Sequence, residues 1–171
     1  AVGKNGALFV TNARYDMACG GWVGEIIRVN PHNGRQMLLS HGGLLNFLRG
    51  ITMDGDDIYV PGMKTHDQNF GEGRVTHVDA QTGVQTLISE DGNLLSPVGI
   101  AVDGDGKLVV ADPYTINLES PDWFDGAIIR IDPAINPAAR EQALIARGQG
   151  SCVNPLAVAI VPSAEPIRKH Q

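Results

Sequence analysis

A chain of 171 residues that is 43% hydrophobic and 19% charged is long enough for one domain with a real core, and too mixed in composition for disorder. Its formal charge of −6, with no cluster of Lys and Arg, argues against sequence-blind binding to nucleic acid or anionic lipid. No apolar run approaches the roughly 18 residues that a membrane helix needs, so membrane insertion is not expected.

Taken in chain order, the predicted elements are short β segments. A first group covers 7–13, 24–31 and 35–40; a second covers 48–54, 57–63, 73–79 and 84–89; a third covers 97–103, 107–113, 126–133 and 140–146. A last segment, PLAVAIVP at 155–162, precedes a polar tail at 163–171. Each segment is rich in Val, Ile and Leu and is bounded by Gly, Asp, Asn or Pro, the pattern of strands and turns. DGDD at 54–57 and DGDG at 103–106 read as hairpin turns, because Asp-Gly tolerates the positive φ such turns require. NPHNG at 30–34 and DAQTG at 79–83 take the same role in the next hairpin.

The groups repeat. Gly50 and Gly99 open closely matching phrases, GITMDGD and GIAVDGD, 49 residues apart. GEIIRVNPHNG from Gly24 matches GRVTHVDAQTG from Gly73, with a looser copy, GAIIRIDPAIN, from Gly126. Four-stranded units recurring every 40 to 50 residues or so are the signature of a β-propeller, whose blades pack face to face around a channel. The predicted fold class is therefore all-β, with three four-stranded blades: about 7–40 completed by 155–162, 48–89 and 97–146. In this reading the chain starts one strand short of a blade and ends with the missing strand. Three blades fall below the usual range of about four to eight. The expected partner is a second copy, a homodimer that exchanges the last strand and closes a six-bladed ring; the alternative is one part of a longer chain.

Where GIAVDGDGKLVVAD and G-x-I-I-R-[VI]-[ND]-P stand, the chain resembles the NHL-repeat and SMP-30/gluconolactonase-like propellers, from about Gly6 to Pro162. That resemblance implies a divalent cation, such as calcium, held by acidic and amide side chains at the channel mouth. By position Asn12 and Asp112 match, while the second blade offers only Pro61 or Gly62. Asp112 equally suits a turn cap through neighbouring backbone N–H groups.

Long loops join the second strand of each blade to the third, and the fourth to the next blade, and all of them fall on one face. Ligand contact is expected there. The binding candidates are Arg14, Asp16, Trp22, Arg49, His66, Tyr114 and Trp123. His41 and the pair His66-Asp67 are the candidate acid–base groups. Cys19 and Cys152 fall on this face beside the same blade. They pair in a disulfide, which would imply a secreted or periplasmic protein, or stay as separate buried thiols. G-x-S-x-G, H-E-x-x-H and Walker-type motifs are missing from the chain. The expected function is thus a non-catalytic scaffold binding a small molecule, glycan or protein on the loop face. The alternative is a metal-dependent, lactonase-like hydrolase or lyase at the channel mouth.

Overall fold

Runs of β-branched residues cut by Asp, Asn and Gly leave the chain little to build but antiparallel hairpins, and hairpins are what form. The computed structural model describes residues 1–18, 20–64, 72–116, 124–134, 142–148 and 155–161, and among these it is all-β. Its strands are β1 (Leu8–Asp16), β2 (Gly21–Val29), β3 (Gln36–Asn46), β4 (Thr52–Asp54), β5 (Asp57–Met63), β6 (Gly73–Asp79), β7 (Gln85–Glu90), β8 (Gly99–Val102), β9 (Leu108–Ile116), β10 (Phe124–Ile131) and β11 (Gln142–Arg147). They make a 7-stranded sheet of order β1-β2-β3-β5-β6-β7, with β4 beside β5, and a 4-stranded sheet of order β11-β10-β9-β8. The larger sheet is two repeat units joined at one pair, Asn46↔Met63. The turns repeat as well: Gly34 N donates to Asn30 O and Gly83 N to Asp79 O, both at 2.9 Å, and both glycines take positive φ, 69° and 74°.

Packing between units supplies two cores. Ala7, Phe9, Ile26 and Leu45 of the first unit meet Ile58, Val60, Val78 and Ala80 of the second. Tyr59, Val75 and Leu94 of the second meet Ile100, Leu108, Val110, Ala127, Ile129 and Ile131 of the third. Because side chains alternate across a strand, Ile58 and Val60 face one neighbour while Tyr59 faces the other. The middle unit is covered on both sides.

A glutamine clamps the second and the third unit each to the one before it. Gln85 on β7 accepts from Leu44 N at 2.7 Å and donates to Ser40 Oγ at 3.0 Å. Gln142 on β11 repeats the arrangement, accepting from Asn93 N at 2.7 Å and donating to Ser89 Oγ and Asp91 O, both at 2.9 Å. The repeat-equivalent residue of the first unit, Gln36, is exposed. The face that carries it is open too: Val10 is 45% and Leu38 52% exposed, whereas Val60 and Val110, equivalent to Val10, are fully buried.

The chain ends make contacts of their own within one chain. Ahead of β1, Ala1 and Phe9 exchange backbone hydrogen bonds, both 2.9 Å, and Val2 forms an isolated bridge with Leu8. The physical reason is legible in retrospect, since AVGKNGALFV matches AVDGDGKLVV and its turn folds back the same way, Gly3 N→Ala7 O mirroring Asp103 N→Lys107 O, both 2.8 Å. Residues 155–161, in turn, form no strand and lie against the third unit, where a Cβ added to Gly99 would stand 2.8 Å from Ala157 Cα. Gly50 has the same relation to Val98 O, at 2.6 Å. Within one chain the last segment therefore lies beside the start of β8, as Val98 lies beside Gly50.

Candidate functional site

The loop expected at 14–24 is mostly hairpin. Arg14 pairs with Val23 and Tyr15 with Trp22, and the chain reverses after Asp16, where Gly20 N reaches Asp16 O at 2.9 Å and Ala18 N reaches Asp16 Oδ1 at 2.8 Å. Aromatic cross-strand pairing favours this extension, a tertiary gain that the polar, glycine-rich sequence hides. A row of rings results. Tyr15 and Trp22 meet edge-on with centroids 5.8 Å apart, and Trp22 meets Phe47 in the same manner at 6.5 Å. The Arg49 guanidinium lies 5.2 Å from the Phe47 centroid, within cation–π range. Tyr15 and Trp22 remain 48% and 38% exposed.

Phe47 holds this row at a cost, since its φ of 50° is unusual for a bulky residue. Arg49 is fixed through its backbone: its O accepts from Thr11 Oγ1 at 3.0 Å and its N donates to Pro61 O at 3.3 Å. Beside the row opens a groove of about 530 Å³, lined by residues 47–51, 98–100 and 156–158, the starts of three successive inner segments.

Below the aromatic row, Asn12 Nδ2 donates to Glu25 Oε2 at 2.9 Å, and Arg14 Nε donates to Glu25 Oε1 at 3.1 Å. Arg14 also lies 3.5 Å from Asp16. The Asn12 amide first, then the Arg14 guanidinium, hold the Glu25 carboxyl below its ordinary range against a smaller opposing effect of burial. His41 stands opposite Glu25 in the ladder, exposed. Arg14, Asp16, Trp22, Arg49 and His41 are thus all carried by the first unit and the segment that leaves it.

Asp112 is elsewhere and does something different. It is fully buried; its Oδ2 accepts from Leu95 N at 2.7 Å and Ser96 N at 2.9 Å, and its Oδ1 accepts from Tyr114 N at 2.9 Å. Burial pushes this carboxyl up, opposed by those three N–H groups. The turn-cap alternative describes it, and Asn12 is turned toward Glu25. Among the described residues no group of three or more His, Cys, Asp or Glu is placed to hold a metal ion. Tyr114 is partly exposed next to Asp112. His66, Asp67, Trp123, Cys19 and Cys152 lie outside the described residues.

Sequence reasoning missed Glu25 and Phe47. Glu25 could have been found from hairpin register, because it lies directly across from Asn12. Phe47 carries no local signal. A second polar group sits at the same end of the next unit: Lys64 Nζ pairs with Asp91 at 2.9 Å, while buried Glu72 Oε2 and Arg74 Nε have no hydrogen-bond partner among the described residues. The chain matches no described protein family, and no curated protein shows significant sequence similarity to it.

Proposed function

We propose that this protein is a binding scaffold of the β-propeller type, three blades forming half of a ring, which takes a peptide, glycan or small molecule on its loop side without turnover. The observation that carries the reading is the row Tyr15–Trp22–Phe47–Arg49 beside the 530 Å³ groove. Exposed aromatic faces with a cation at one end offer stacking surface at low cost in side-chain entropy. A partly exposed tryptophan makes the test direct. Titration with glycan and peptide sets should quench Trp22 fluorescence, and Trp22→Ala or Arg49→Ala should abolish capture. Turnover of a lactone panel with a tightly held divalent ion, both lost in Asp112→Ala, would replace this reading with the hydrolase.

The other half of the proposed ring is a second copy. The face bearing Val10 and Gln36 repeats faces that the second and third units bury at Val60 and Val110, and Gln36 stands where Gln85 and Gln142 grip their neighbours. The third unit offers the complementary side, with Ile145 exposed and the apolar segment 155–161 beside it. Each copy thus carries both halves of the contact its own units make twice. Exchange of the last strand is a harder route, since Ala1 and Val2 would have to leave Phe9 and Leu8.

A further inference from the structure

We infer that the first unit carries a second binding site, for a small molecule bearing a carboxylate or phosphate group, at the end of its strands opposite the aromatic row. A hollow of about 360 Å³ opens there between the turn that precedes β1 and the turn that joins β2 to β3. Its size is within the range of pockets that hold small ligands, about 300–1,000 Å³. Arg28, Arg35, His32, Asn5 and Asn30 supply its polar lining, with Ala7, Pro31 and Met37 as apolar wall. No acid lines it, in a chain whose net charge is −6.

The asparagines are committed as donors. Asn5 Oδ1 accepts from Ala7 N at 3.1 Å, and Asn30 Oδ1 accepts from His32 N at 2.9 Å. That leaves their amide NH₂ groups, with the two guanidinium groups, as donors of the lining. A set made of two guanidinium groups, two amides and an imidazole is suited to oxyanion oxygens, which accept only.

The repeat shows what is missing. Arg130, equivalent to Arg28, donates to Asp103 at 2.7 Å through Nε and to Asp105 at 2.7 Å through Nη2. His77, equivalent again, meets Asp57 Oδ1 at 2.7 Å. In the first unit the counterparts of Asp103 and Asp105 are Gly3 and Asn5. Arg28 makes no ion pair among the described residues; its guanidinium rests 5.9 Å from the Phe9 centroid. Asp56, which shares an adjoining hollow with it, is held by Gln81 Nε2 at 3.2 Å. The third unit provides the anion internally, and the first leaves its place to a ligand.

The site does not depend on the proposed scaffold function or on ring closure. Calorimetric titration of the full chain with glucose 6-phosphate, glucuronate and neutral glucose tests it. Saturable binding of either anion and none of glucose is expected, and which anion binds tells phosphate from carboxylate. Affinity should fall with added salt and by about tenfold or more in Arg28→Gln. Asn5→Asp restores the acid of the third unit, so it should abolish binding while the thermal midpoint holds or rises. Absence of binding at millimolar anion, equal binding of glucose, or full affinity in Asn5→Asp would overturn the site.

Discussion

The glutamine clamps show how single side chains set the spacing between units. Gln85 satisfies Leu44 N, and replacing it with leucine leaves that donor without its partner in a half-buried place, while the Ser40 hydroxyl keeps only its bond to Gly83 O. Gln85→Leu should lower stability by about 1–3 kcal/mol, read from urea melts with an unchanged slope. A signal for the clamp was present in the sequence, since GRQMLLS, GVQTLIS and EQALIA place Gln36, Gln85 and Gln142 at one repeat position. It passed unread because an isolated polar residue on a strand looks like any solvated one. Asp79 gives a pH prediction. The Thr82 hydroxyl, then the Thr82 and Gln81 N–H groups, hold its carboxyl below the ordinary 3.8. The unfolded chain therefore binds a proton at higher pH than the folded one, and this stabilisation is present above 3.8 and fades as pH falls through the depressed value. Asp79→Asn should be less stable at neutral pH and lose less on acidification, checked by urea midpoints across that range.

Equivalent strands differ in what covers them. Ile58 on β5 is fully buried between units, while Leu8, its counterpart on β1, is half-buried on the open side. Ile58→Ala should cost about 2–5 kcal/mol, and Leu8→Ala distinctly less in the dilute chain. At this scale the sequence was most informative: the spacing of Gly-bounded apolar runs located the strands because β propensity and turn chemistry are local. Strand ends were less legible. The extension of β1 to Asp16 and of β2 back to Gly21 depends on Tyr15 and Trp22 finding each other, and β3 runs on to Asn46 because that residue bridges Met63. The partner of the last segment was legible only in part. Its likeness to the inner segments was visible in Val158-Ala159 against Ile100-Ala101, but its neighbour is a matter of packing against Gly99.

For the whole molecule, the arrangement leaves one apolar face at each end and a covered unit between. Light scattering should give a mass near twice the 18.2 kDa of the chain, and Val10→Asp, which puts a charge on the open face, should return it to a single copy without unfolding it. A single-copy mass for the unaltered chain would remove the second-copy partner and leave both proposed sites standing, since each lies within one chain.

The series Gly50, Gly99, Ala157 has a geometric consequence. At the first two positions a hydrogen in place of a methyl lets the following backbone press to within van der Waals touch; at the third, a methyl keeps any follower farther off. A circle assembled from two such halves would be out of round, narrow across the seams inside each chain and wider across the two between chains.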